Sequence, residues 1–96
     1  MIGVVANMSI QDGKQADFEA TMKDLAAKCK ANEPGLLTYE LYKKQGSDTE
    51  YIVMEQYADM DALKTHGQTD YFKAAGPAIG ACLAAAPKID LYDSVE

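Results

Sequence analysis

Cysteine, histidine and positive charge are all scarce in this chain of 96 residues, and each scarcity removes a class of function. The two cysteines, Cys29 and Cys82, lie far apart, with no CxxC pair and no Cys/His spacing that would gather a tetrahedral metal. They read as buried thiols, and no metal site is expected. Nine basic residues against fifteen acidic ones leave a net charge of −6. That balance repels phosphate backbones and anionic lipid heads, and the lysines form no stripe. Nucleic acid is not an expected partner. No apolar run approaches the roughly 20 residues needed to cross a bilayer. The opening MIGVVANMSI has no positive residue before its apolar stretch, so a cytoplasmic location without membrane contact is the expectation.

What remains is an ordinary globular composition, 48% hydrophobic and 25% charged, which rules out a disordered chain. The length suits one domain, residues 1–96, and a chain this short buries only about 60 to 65% of the surface exposed when unfolded. A partner subunit would widen that thin margin.

Residues 2–9 are apolar and β-branched, and Gln11-Asp12-Gly13-Lys14 supplies turn chemistry after them. From Gln15 to Ala31 the apolar residues Phe18, Met22, Leu25 and Cys29 recur at spacings of four, three and four, one face of a helix. Asn32-Glu33-Pro34-Gly35 ends it. Leu36 to Lys44 and Tyr51 to Tyr57 read as an antiparallel hairpin around Gln45-Gly46-Ser47-Asp48-Thr49. A short helix is expected from Asp59 to Gly67, then a second segment capped by Thr69-Asp70 and running through Leu83 with Phe72, Ala75, Ile79 and Leu83 inward. Gly76, Pro77 and Gly80 should kink or loosen that segment. Lys88 to Val95 makes a closing strand.

This order predicts an α+β fold, ferredoxin-like βαββαβ, with a four-stranded antiparallel sheet and the helices on one face. Strand residues are apolar on both parities: Ile2, Val4, Ala6, Met8, Ile52 and Met54 on one, Val5, Tyr51, Val53 and Tyr57 on the other. A half-exposed sheet should alternate apolar with polar. A second copy is therefore expected to cover the free face, giving a homodimer.

Four segments, VVANMSI, EPGLLTYELYK, YIVMEQYADMDALKTH and TDYFKAAGPAI, carry a family likeness over nearly the whole chain. The sequence resembles the antibiotic biosynthesis monooxygenase family of dimeric α+β barrels, especially its quinol monooxygenase-like members. The resemblance implies a homodimer and a cofactor-free monooxygenase acting with dioxygen on a small aromatic substrate, a quinol or polycyclic phenol. Members also include heme-degrading enzymes and an isomerase. The heme-degrading ones carry an iron-binding histidine where this chain has Gly76 and a pocket tryptophan that matches His66, and the chain has no tryptophan. Heme chemistry is not expected.

Dioxygen reacts slowly with closed-shell molecules, and the resemblance implies that the deprotonated substrate itself passes the electron to it. The protein's tasks are to hold a flat apolar molecule in a dry pocket, remove a phenolic proton and stabilise the anion. His66, the only histidine, has the one side chain that ordinarily titrates near neutrality and is the candidate proton acceptor; its plainer alternative is a solvated surface residue. Asn7, unusual within a strand, either bonds backbone or faces a polar ligand. Its place matches a pocket asparagine of the heme-degrading members, which favours the ligand. Tyr39, Tyr51, Tyr71 and Phe72 are candidate aromatic walls or plain core, and Glu55 a second proton acceptor or an ion pair at the dimer seam. A proton-transfer isomerase using the same pocket, and a non-catalytic dimeric protein that binds or sequesters small aromatic molecules in stress, are the competing readings.

Overall fold

A computed structural model describes residues 1–95. The elements are β1 (Ile2–Ser9), α1 (Gln15–Asn32), β2 (Leu36–Lys43), β3 (Glu50–Tyr57), α2 (Met60–Gln68), α3 (Asp70–Cys82) and β4 (Lys88–Asp93). The four strands form one antiparallel sheet in the order β2-β3-β1-β4, the expected ferredoxin-like arrangement.

The apolar spacing along α1 works as its period dictates, because Phe18, Met22, Leu25 and Cys29 are all buried against the sheet. They meet Ala6, Tyr39, Tyr51 and Val53 in one core. The register Ala6↔Val53 and Leu41↔Val53 puts even positions of β1 on the same face as odd positions of β2 and β3. The helix-facing surface is thus Val4, Ala6, Tyr39, Leu41, Tyr51, Val53, Glu55 and Tyr57. The other surface carries Val5, Asn7, Tyr42, Ile52, Met54 and Tyr92.

The helices do not cover the sheet evenly. Packing runs between α1 and β2, α1 and α3, and α2 and β3. On β4, Ile89 and Leu91 pair with Ala6 and Val4 and so face the helices, yet both are more than half exposed. A cleft therefore stays open between α3 and the β1–β4 half of the sheet.

Two helix starts are fixed by side-chain caps: Asp59 accepts from the Ala62 amide at 2.8 Å, and Thr69 from the Phe72 amide at 3.3 Å. The Thr69 hydroxyl also donates to the His66 carbonyl at 2.9 Å, so one residue closes α2 and opens α3. Helix α3 runs through Pro77 without a break. Tyr71, Ala75, Ile79 and Leu83 pack on the core along its length, and that burial outweighs the local defect. Among the described residues no helix is long and apolar enough to cross a membrane.

Candidate active site

The end of α1 and the middle of α2 meet through a corner built on a close backbone approach. A side chain at Gly35 would place its Cβ 2.6 Å from the Cβ of Ala62, so only glycine lets β2 begin this close to α2. The Gly35 carbonyl then accepts from the Ala58 amide at 2.8 Å, and the Glu33 amide caps α1 by donating to the Cys29 carbonyl at 3.0 Å. This corner brings Glu33 against His66.

His66 is buried, with Nδ1 3.0 Å from Glu33 Oε1 and 3.3 Å from Oε2. A carboxylate only accepts, so Nδ1 carries the proton and Nε2 presents a lone pair. Tyr71 donates its hydroxyl to Glu33 Oε2, and Cys29 Sγ lies 3.7 Å from His66 Nδ1. Burial, with the charge of Glu33 next, pushes the Cys29 thiol up to about 12, so it stays protonated. Around the imidazole stand three rings: Phe72 at 4.7 Å between centroids, Tyr39 at 5.5 Å and Tyr57 at 5.5 Å.

Nε2 has no protein partner. Among the described residues no buried polar side-chain atom is left unbonded, so Nε2 must be reached by solvent. His66 forms part of the wall of the cleft beneath α3, a cavity of about 380 Å³. Its other walls are Val4, Ala6, Met8, Ile89 and Leu91 from the sheet and Phe72, Gly76, Ile79 and Gly80 from α3. The ionisable side chains on it are Glu55, Tyr39 and His66.

Glu55 is buried and accepts the Tyr57 hydroxyl at 2.5 Å on Oε1. Burial raises its pKa to about 7, against the lowering effect of Tyr57, and the negative charge of Glu33 adds a further rise. Glu55 thus exchanges its proton near neutrality. Tyr39, with no protein partner on its hydroxyl, is pushed above the ordinary phenol range, chiefly by burial, and remains a neutral donor. An apolar cavity with one lone-pair acceptor, one carboxyl near its midpoint and one phenol donor is equipped to take and return a proton from a ligand of modest polarity.

The residues expected in the site divide. His66, Glu55, Tyr39 and Phe72 line the cavity together. Tyr71 stands behind it, holding Glu33. Asn7 requires a correction: it lies exposed on the opposite sheet face, with Nδ2 3.4 Å from the Lys88 carbonyl, because its odd parity on β1 points it away from the helices. Tyr51 is likewise absent from the walls of this cavity; its ring packs on Phe18 at 4.9 Å and its hydroxyl donates to Glu19 at 2.5 Å. That end of the core borders a wider groove between α1 and β2, about 480 Å³, whose charged rim is tied up by Lys30–Glu40 at 2.9 Å and Lys43–Glu19 at 3.8 Å.

Glu33 was missed. The sequence offered a signal, an acidic residue at a helix C-terminus, where the macrodipole disfavours negative charge. Nor did spacing reveal that Cys29, Glu33 and His66 bring donor atoms within 4.8 Å of one another, a metal-ligand chemistry met here by mutual hydrogen bonding.

The chain belongs to the antibiotic biosynthesis monooxygenase family, whose description matches residues 1–78. A Caulobacter crescentus CB15 protein, provisionally named an antibiotic biosynthesis monooxygenase, is 56% identical, with a TM-score of 0.96 over 99% of this chain and 90% of that one. YcnE of Bacillus subtilis, provisionally a monooxygenase, is 29% identical over 73 residues, 76% of each chain. A variant of SnoaB, a cofactor-independent oxygenase from Streptomyces nogalater, is 21% identical with a TM-score of 0.86 over 99% of this chain and 93% of its own, a likeness of fold.

Proposed function

We propose that this protein is a cofactor-independent monooxygenase of quinols or polycyclic phenols. The observation that carries the reading is the buried, Glu33-paired His66 with its free Nε2 on an apolar cavity wall. A phenol entering the cleft gives its proton to Nε2, and the imidazolium that forms is stabilised by the Glu33 carboxylate behind it. Tyr39 donates a hydrogen bond to the new phenolate, a bond that strengthens as the seated substrate displaces water from the apolar cleft. The electron-rich anion passes an electron to dioxygen, and the radical pair joins through a C–O bond. The imidazolium returns its proton to the peroxide, and the ring carbon that bears it then loses its hydrogen as a proton. The freed C–H electron pair forms the C=O bond as the O–O bond breaks, so that one oxygen stays on the ring as a quinone and the other leaves, with both protons, as water.

The working unit of this proposal is a homodimer. Val5, Ile52, Met54, Tyr42 and Tyr92 share the face that no helix covers, and the last three are 44 to 56% exposed. Contiguous apolar surface of that kind is a standard mark of a protein interface.

Oxygen uptake with a panel of hydroquinones tests the activity. Protein-dependent uptake that disappears in His66→Ala is the expected result, and no uptake across the panel counts against the reading. One observation favours a second: Glu55 and His66 are two proton carriers on one cavity, the equipment of an isomerase that moves a proton beside a carbonyl. Turnover that survives strict anaerobiosis would select it.

A further inference from the structure

Cys29 and Glu33 stand four residues apart at the end of α1, and His66 comes to them from α2. A buried thiol, a buried carboxylate and a buried imidazole thus meet at one point, a donor set that suits zinc rather than calcium or magnesium. Their spacing fits as well. Bonds of about 2.3 Å to sulfur and about 2.0 to 2.1 Å to nitrogen or oxygen put tetrahedral neighbours about 3.6 Å apart for nitrogen and sulfur, and about 3.3 Å for nitrogen and oxygen. Nδ1 of His66 lies 3.7 Å from Cys29 Sγ and 3.0 and 3.3 Å from the two oxygens of Glu33. All three residues bring their donor atoms within 4.8 Å of one another, so an ion among them asks for shifts of about 1 Å.

Charge favours the ion too. Glu33 is a buried carboxylate whose partners, His66 and Tyr71, are neutral donors. With Zn²⁺ in place, the carboxylate and the Cys29 thiolate together cancel the ion, and the buried group becomes neutral. We propose that Cys29, Glu33 and Nδ1 of His66 form a zinc site that switches off the proton acceptor on the cavity wall. Zinc accepts an electron pair from each of the three atoms and one from water; the Cys29 proton goes to solvent, and the Nδ1 proton passes to Nε2. Tyr71, partly exposed where it covers Glu33, gives way as the metal enters. The cavity then meets an N–H donor in place of a lone pair, and a phenol can no longer pass its proton to His66. Zinc binding stands on the geometry alone, whereas the loss of turnover rests on the proposed function.

The test uses Zn²⁺ for calorimetry and Co²⁺ for absorbance, on wild type, Cys29→Ser and Cys82→Ser. Wild type should bind one ion per chain, and its Co²⁺ form should show a thiolate-to-cobalt charge-transfer band that Cys82→Ser keeps and Cys29→Ser lacks. Cys29→Ser should hold Zn²⁺ about a hundredfold more weakly or worse. Because His66 is the only histidine, nitrogen NMR of its ring reads the tautomer directly, and Zn²⁺ should move the proton from Nδ1 to Nε2. Oxygen uptake by wild type should fall about a hundredfold with Zn²⁺ and return with a chelator, while Cys29→Ser at the same Zn²⁺ keeps its own zinc-free rate. No binding, a cobalt spectrum without the band, or Zn²⁺ held equally by Cys29→Ser would overturn the site. A band lost in Cys82→Ser would do the same, and it decides the matter even where Cys29→Ser does not fold. Zinc-loaded wild type that turns over at the zinc-free rate would overturn the switch. Binding and proton movement with no oxygen uptake by any form uphold the site while sinking the monooxygenase reading.

Discussion

Glu33 Oε1 stands 3.0 Å from His66 Nδ1, and the two side chains, each 5% exposed, come from the end of α1 and from α2. Glu33 touches no substrate; it fixes which imidazole nitrogen holds the proton. Glu33→Gln keeps the shape but brings an amide donor into a position ringed by the donors of His66, Tyr71 and Cys29. Turnover should fall by about 10² to 10⁴-fold with KM little changed, the pattern of a lost orienting carboxylate. Oxygen-uptake kinetics measure it, and a rise confined to KM would deny Glu33 a positioning role. Glu33→Ala, which strands three donors, should also destabilise the fold by about 3 kcal/mol or more in denaturant titration.

The corner that sets this pair makes its own prediction. Gly35→Ala drives a methyl to 2.6 Å from the Ala62 Cβ and must push α2 off β2. Overpacking of this kind costs about 1 to 3 kcal/mol, and the displaced His66 should lose turnover as well. Ala62→Gly removes the opposing carbon, at about 1 kcal/mol of helix propensity on its own. The double variant should therefore be more stable than the sum of the two singles by 1 kcal/mol or more, a coupling that thermal melts resolve. Strict additivity would mean that the contact is not the cause.

Much of this arrangement was legible in the residues and some was not, for separable reasons. The face of α1 followed from a four-three-four spacing that only a helix brings together. The order of elements then fixed the ferredoxin-like sheet. Parity along a strand shows which residues share a face, but not which face; that needs the register Ala6↔Val53, and without it Asn7 was assigned to the wrong side. The continuity of α3 was obscured because Pro77 acts locally whereas Ala75 and Ile79 gain from packing against elements distant in sequence. Glu33 escaped notice because its partners lie 33 and 38 residues away. It broke a local rule by placing an acid at a helix C-terminus, and such violations tend to mark functional sites.

The uncovered sheet face supplies a prediction about assembly. Met54 sits near its centre, opposite Val5 on β1 and Glu40 on β2, and is 44% exposed. If a second copy covers this face, Met54→Glu buries a second carboxylate beside Glu40 at the seam and should convert dimer to monomer. Light scattering at micromolar concentration reads the outcome directly. A wild type that stays monomeric, without exposing a surface that binds hydrophobic dyes, would remove the dimer from the proposal. Asn7→Ala, on the same face between Ile52 and Lys88, should leave His66-dependent turnover within about twofold, as expected of a position on the far side of the sheet from the cavity.

Glu55 links the cavity to pH. Burial raises its pKa from 4.5 in the unfolded chain to about 7 in the fold, so between those values the folded state holds a proton that the unfolded state has released. Stability from this group is complete below pH 4.5, declines as pH rises, and is lost once pH passes about 7, where a charged carboxylate must stay buried. Glu55→Gln imitates the protonated form, keeps an oxygen for the Tyr57 hydroxyl and does not ionise. The variant should therefore gain on wild type steadily from pH 4.5 to 7 and hold a constant advantage above that, about 3 kcal/mol as an upper figure. Denaturant titrations of both proteins across pH 4 to 8 give the difference curve, and the comparison cancels every other group that titrates alike in the two. A flat curve would mean that Glu55 is already charged in the folded protein at low pH, and it would lose its place as the cavity's second proton carrier.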